Sequence, residues 1–252
     1  MNAMDRLALE QAFHDDQCRR RAASFAVAES MRFRDDAYLD HETWIRPALA
    51  RLGRLDGLRA LDYGCGHGMA AVVLARRGAR VTAFDLSPAY VEEARRRAWV
   101  NEAAVEFCTA DAERLPFADA SFDRIWGNAV LHHLNLGRAV PEVRRVLAPG
   151  GVAVFCEPWG ENPLLAWARR RLNYHGKGRT PDEEPLRLRQ LPILRRTFPR
   201  LRVECCQLLS MIRRVMRPGR LTAALEWCDA GLLRLVPALG WLCRYVVLTM
   251  PR

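Results

Sequence analysis

Leu61-Asp62-Tyr63-Gly64-Cys65-Gly66-His67-Gly68 is the stretch on which the reading of this 252-residue chain turns. A short apolar run, Leu58–Tyr63, leads into it, and a helical pattern, Met69–Arg77, leaves it. The glycines therefore sit at a strand-to-helix turn, where they let the backbone bend tightly and approach a ligand closely. The spacing is G-x-G-x-G. A dinucleotide site uses G-x-G-x-x-G to seat a pyrophosphate on the helix N-terminus. An acidic residue, Asp62, stands before the glycines. A carboxylate facing such a loop repels a pyrophosphate and attracts a cation.

Outward from this turn the chain alternates. Arg80–Asp85 (RVTAFD) reads as a strand and Pro88–Ala98 as a helix, with Ser87 or Asp85 placed to cap it. Val105–Thr109 and Phe122–Gly127 read as strands. Gly137–Leu147 reads as a helix stopped by Pro149-Gly150-Gly151, and Val152–Glu157 as a fifth strand. Leu201–Leu209 and Tyr245–Met250 are candidate sixth and last strands. This rhythm predicts an α/β fold: a Rossmann-like, doubly wound, mostly parallel seven-stranded sheet with helices on both faces. Residues 1–56 read as an N-terminal helical cap and 57–157 as the ligand-binding core. Prolines at 158, 163, 181, 185 and 192 break the rhythm, so 158–198 reads as an insertion or lid beside the acceptor site. Residues 199–252 complete the same domain with strands and an apolar helix.

Three further features fall at the sheet's ligand-facing ends. Asp85 closes the second strand, where a carboxylate accepts from ribose hydroxyls. Asp111-Ala112 follows the third strand and can read an adenine edge, although an Asx turn is the ordinary explanation of such an Asp. Asp123–Asn128 and Ala129–Leu134 follow on the fourth strand, beside the ligand. With Asp62 attracting an ammonium and, through space, a sulfonium, these features point to S-adenosylmethionine. The segments LDYGCGHG, VTAFDLSPAYVEEAR, CTADAERLPFADASFDRIWGNAVLHHL and VRRVLAPGGVAVFCEP resemble, in order and spacing, the class I S-adenosylmethionine-dependent methyltransferases that act on small molecules (the methyltransferase type 11 group). The resemblance is strong over residues 40 to 160. It implies Gly64, Cys65, Gly66 and Gly68 beneath the methionine part, with Asp62 near its amino group. It also implies Asp85 on the ribose, Leu86 over the adenine, Asp111 and Ala112 on the adenine edge, and Asn128 and Leu131 lining the donor site. Tyr63 and His67 stand at variable positions of the loop and either touch the ligand or pack.

Methyl transfer needs alignment, exclusion of water and, for some acceptors, a base. His132 and His133 are the base candidates, with His41 and His175 behind them, and Glu157 reads as able to orient an acceptor. No metal is expected. The acceptor pocket falls to the poorly matched segments, among them Phe33, Tyr38 and Trp44, Trp159, Trp167 and Tyr174, and Trp227. The same aromatics are equally natural core residues. They suggest a lipophilic or aromatic small molecule, acting through oxygen, nitrogen or carbon.

Composition bounds the rest. Half the residues are hydrophobic and the net charge is +10, with Lys177 the single lysine. Arginine clusters such as Arg95–Arg97, Arg169–Arg171, Arg195–Arg196 and Arg213–Arg214 either attract nucleic acid, anionic lipid or an acidic substrate, or are solvated helix faces of an arginine-rich chain. The second is the expectation, and no nucleic-acid partner is expected. Eight cysteines show no C-x-x-C spacing, and the first 21 residues lack an apolar signal core, which fits a reducing cytoplasm. Leu221–Met250 is apolar enough to lie on a membrane. Glu226, Asp229, Arg234 and Arg244 interrupt it, so a core-facing helix and strand are expected, with peripheral membrane contact not favoured. The competing functions are an RNA or protein methyltransferase and a non-catalytic donor-binding subunit.

Overall fold

Strand β1 (Arg59–Tyr63) sets the pattern for the sheet: Arg59 is exposed and the next four residues are buried. The computed structural model describes residues 3–22, 28–171, 184–214 and 220–252. In it β1 pairs in parallel with β2 (Arg80–Asp85) and with β4 (Phe122–Asn128). Outward lie β3 (Val105–Thr109) on one side and β5 (Leu147–Pro158) on the other. The last two strands, β6 (Arg202–Cys206) and β7 (Tyr245–Pro251), complete the order β3-β2-β1-β4-β5-β7-β6. β7 runs antiparallel to both β5 and β6, and the other pairings are parallel. The expected mostly parallel seven-stranded α/β sheet is the observed one.

Alternation along each strand feeds two cores. Leu61 and Tyr63 of β1 look toward one face, with Ile125 and Phe155. Ala60 looks to the other, with Trp126 and Val154. Before the sheet come α1 (Ala3–Ala22), α2 (Asp35–Leu39) and α3 (Ile45–Ala50). Pro47 is the third residue of α3, inside a first turn that needs no N–H from it. Between strands come α4 (Met69–Arg76), α5 (Pro88–Val100) and α6 (Leu136–Val146), followed by α7 (Pro163–Arg171), α8 (Leu191–Thr197) and α9 (Arg220–Leu235). Leu49 of α3 and Val73 and Leu74 of α4 fill the second core, and Val140 and Val143 of α6 with Leu194 of α8 fill the first. Ser87 caps α5 by accepting from Tyr90 N–H, with Pro88 at the first helical position. Asn135 caps α6 in the same way, accepting from Gly137 N–H.

Two expectations are revised. Residues 184–198 belong in good part to the body: Leu186, Leu191, Leu194 and Phe198 are buried in the first core, and Leu186 bridges to Trp159. Residues 172–183, with Tyr174, His175, Lys177 and Pro181, lie outside the described residues. Of the apolar stretch Leu221–Met250, the strand is core as expected, with Val246, Leu248 and Met250 buried. The helix meets the expectation only in part: Leu225, Leu232 and Leu233 of α9 are half-buried, while Trp227, Leu235 and, beyond the helix, Trp241 are exposed. None of the eight cysteines is joined in a disulfide. Among the described residues no helix is long and apolar enough to cross a membrane.

Candidate functional site

The C-terminal ends of β1, β2 and β4 meet at the glycine turn, and two cavities open on either side of it. The first, about 210 Å³, lies against Asp85 and Leu86 at the end of β2 and against Asp111 and Ala112 after β3. The second, about 300 Å³, lies against Asp62 and Cys65 of the turn and Tyr38 and His41 of the α2 region. Gly64, Gly66, His67 and Asn128 line both, so the two spaces adjoin across the turn. A ligand with two dissimilar ends, one on each side of Gly66, fits this plan. A Cβ at Gly66, whose φ is +47°, would meet no atom within 4 Å, so the turn leaves open space there. Gly68 has a different task. Its φ is +79°, and a Cβ would come within 2.6 Å of Ala94 Cβ, so it lets α4 and α5 close together.

Each cavity holds a desolvated carboxylate. Asp62 is buried, its Oδ2 has no hydrogen-bond partner, and burial pushes its carboxyl up to about 7 against the pull of the Ala71 N–H. A buried unpaired carboxylate oxygen is costly unless a cation arrives to pair with it. Asp85 is also raised by burial, and is held by two backbone donors: Gly66 N–H to Oδ2 at 2.8 Å and Ser87 N–H to Oδ1 at 3.0 Å. These fix the carboxylate while leaving lone pairs toward the cavity. Asp111 accepts from Glu113 N–H at 2.8 Å, so the Asx turn is real, and the residue still lines the first cavity. Tyr63 packs, buried between Phe84 and Phe155, and its hydroxyl donates to Ala112 O at 2.6 Å, steadying that turn. Tyr38 is buried and its hydroxyl, raised by burial, accepts from Trp126 Nε1 at 2.9 Å.

The two histidines after β4 separate. His132 is buried, its Nδ1 2.8 Å from Glu157 Oε2. Glu157 also accepts from the N–H of Val130 (3.1 Å), Leu131 (2.9 Å) and His132 (3.3 Å). It is therefore a latch on the turn after β4, and the role of orienting an acceptor does not suit it. His133 lines the first cavity, with Nδ1 3.0 Å from Glu10 Oε1 on α1. Leu131 and Gly68 are buried and line neither cavity, so of the residues expected at the donor these two and His132 stand behind its wall. The aromatics also divide. Tyr38 lines the second cavity, Trp44 and Trp159 are core, Phe33 lies under Arg76, and Trp167 and Trp227 are exposed. Neither cavity is lined by a described residue of 158–198.

The wall formed by α1 went unread in the sequence. Leu7, Glu10, His14 and Gln17 all line the first cavity. Their spacing of three, four and three residues is one helix face. Asp15 fastens this helix by accepting from the Ser87 hydroxyl, and Gln17 accepts from the Tyr90 hydroxyl at 2.8 Å. Glu10, His14 and His133 each bring one ligand atom within 4.8 Å of the others, a grouping able to hold a metal ion or to orient one imidazole by a carboxylate.

Residues 61–155 match the family described as methyltransferase domain. Over 108 residues the chain is 40% identical to a malonyl-(acyl-carrier protein) O-methyltransferase of Pseudescherichia vulneris, covering 42% of this chain and 41% of that one. Over 119 residues it is 38% identical to a fatty-acid O-methyltransferase of Mycolicibacterium smegmatis, covering 46% and 42%. The chain thus spans about two fifths of the length of these relatives. Among solved structures it resembles the (4+2)-cyclase SpnF, with TM-score 0.55 and 26% identity over 82% of this chain and 80% of that one.

Proposed function

We propose that this chain, whose residues 61–155 match the methyltransferase domain family, is an S-adenosylmethionine-dependent methyltransferase of class I that transfers a methyl group to a small lipophilic acceptor. The observation that carries the reading is the buried, partnerless Asp62 oxygen facing one cavity while Asp85 faces the adjoining one. A ligand with an ammonium at one end and a ribose at the other suits both. In this assignment Asp62 meets the amino group, and Gly64, Cys65 and Gly66 give the methionine part its space. Asp85 accepts from the ribose, Leu86 covers the adenine, and Asp111 and Ala112 address its edge. The bound donor supplies a methyl carbon already activated by sulfonium charge. The chain's own task is alignment and dryness. α1 closes the first cavity on the side of His133, and Tyr38, His41 and Ile45 border the second. Where the acceptor must lose a proton, Glu10 holds the Nδ1 proton of His133 and leaves Nε2 as the base. Oxygen is the first acceptor atom to test, because both relatives named above are O-methyltransferases.

A second reading is a chain that binds the donor without transferring its methyl group, favoured by the likeness to a (4+2)-cyclase. One experiment separates them. Isothermal titration with S-adenosylmethionine and S-adenosylhomocysteine, on wild type and Asp85→Ala, is expected to show binding that the variant weakens at least about ten-fold, or about 1.4 kcal/mol. No binding by folded wild type at millimolar ligand overturns the donor assignment. Binding with no methyl transfer across fatty acids, acyl thioesters and phenols supports the second reading.

A further inference from the structure

Helix α9 is fastened to the body by hydrogen bonds as well as by half-buried leucines. Asp229 is buried and accepts from the N–H of Leu208 (3.0 Å), Leu209 (2.7 Å) and Ser210 (3.1 Å), and from the Ser210 hydroxyl (2.6 Å). Glu226 pairs with Arg213 at 2.8 Å, and Thr222, on the same side, is buried. At 100° per residue the outward side carries Ala223, Ala224, Trp227, Ala230, Gly231, Arg234 and Leu235, all exposed, while Leu225, Cys228, Leu232 and Leu233 are half-buried on the inward side. Trp227 is 80% and Leu235 81% exposed. A surface helix of a soluble domain keeps large apolar side chains off its outward side, and Trp227 and Leu235 stand on this one.

The exposed apolar face continues beyond the helix. The 3-10 turn Pro237–Leu242 follows at once, with Trp241 59% exposed. The start of α7 abuts that turn: Asn162 accepts from Leu164 and Leu165 N–H and donates its amide to Leu242 O. α7 in turn exposes Leu164 and Trp167, the latter to 60%. The charges are one-signed. Both carboxylates of α9 are spent inward, no acidic residue occurs in α7 or in Pro237–Leu242, and among the described side chains of these elements the exposed charges are arginines, Arg234 and Arg171.

We infer that this face is a docking surface for an anionic lipid bilayer. The protein lies on the membrane with the indoles of Trp167, Trp227 and Trp241 at headgroup level and its arginines against lipid phosphates. Charge decides the occupant. Two copies joined by this face would bring arginines together with no carboxylate on the face to neutralise them, whereas anionic headgroups supply that countercharge. The layer behind the face reaches the candidate site. Gln207 Nε2 donates to Glu42 Oε2 at 2.6 Å and Arg244 to Glu42 Oε1 at 3.2 Å, one residue beyond His41 of the second cavity. Docking by α9 therefore sets a cavity rim near the lipid. The inference itself stands on α9, the 3-10 turn and α7, and not on the donor assignment.

The test is co-sedimentation of the full chain with vesicles of phosphatidylcholine alone or mixed equally with phosphatidylglycerol, together with indole emission. Wild type is expected to partition at least about ten-fold better into the anionic vesicles, with a blue-shifted emission, and to lose much of that as salt rises from roughly 50 to 500 mM. Trp227→Glu/Leu235→Glu is expected to lose at least about ten-fold in partition while its melting temperature stays that of wild type. Trp241→Ser, on the turn rather than the helix, is the second variant and is expected to weaken binding in the same direction. Donor titration on the same samples is independent of the outcome. Absent partition into anionic vesicles, or partition that neither variant changes, overturns the inference. So does a wild-type dimer that the double variant splits, or binding only to an acidic protein.

Discussion

Asp62 is a carboxyl that folding has pushed toward neutrality, and its chemistry gives a signed pH dependence. The ordinary value is 3.8 and the folded value about 7. The folded state therefore holds this proton more tightly than the unfolded chain. Its contribution to stability is present at low pH and is lost as pH rises from about 4 through 7. Donor binding has the opposite need, because an ammonium pairs only with the ionised form. Affinity for S-adenosylhomocysteine should rise between pH 6 and 8, and calorimetry on Asp62→Asn should show a weaker and flatter profile. The same variant, without donor, should melt above wild type at pH 8; a lower melting point would mean that the buried charge is paired. His132 and His133 should also part. His132→Ala leaves Glu157 buried without its imidazole and should cost about 2 kcal/mol in a urea titration. His133→Ala should leave that midpoint nearly unmoved and lower kcat by about a hundred-fold if the acceptor needs a base. The sequence put both histidines beside the ligand and offered no ground for choosing. The choice lies in partners more than twenty residues away, Glu157 and Glu10.

At the scale of elements, the β1–α4 turn was legible because glycine spacing and Asp62 are local signals, and the turn is built locally. Its three glycines nonetheless do unlike work. Gly68→Ala should cost about 2–3 kcal/mol of stability, from its positive φ and the contact with Ala94. Gly66→Ala should cost about 1 kcal/mol and at least about ten-fold in donor affinity, since its Cβ enters open space. Thermal melts paired with calorimetry distinguish the two. α1 was illegible as a wall, because a polar helix face looks the same whether water or a ligand lies against it. If it closes over the donor, hydrogen exchange at residues 6–20 should slow on adding S-adenosylhomocysteine, by about ten-fold or more. An unchanged rate would leave α1 a bystander. α9 misled in the other direction. Its leucines and its tryptophan read as core alike, and only the fold shows that Leu225, Leu232 and Leu233 turn inward while Trp227 and Leu235 do not.

For the whole molecule, alternation of strands and helices foretold the sheet, its parallel core and its seven strands, because each βα unit announces itself within some thirty residues. The place of the last strand was not written locally. β7 follows β6 in the chain yet lies between β5 and β6. During synthesis, then, β5 emerges and waits. Its outer edge, with Phe155 and Val154 on it, has no neighbour until more than eighty further residues have been added and Tyr245–Pro251 can slide in. β6, whose only partner among the described residues is β7, waits with it. A nascent chain at that stage offers an open apolar sheet edge to whatever is nearby, so the ribosome-bound protein is the form most exposed to mispairing and most in need of a chaperone.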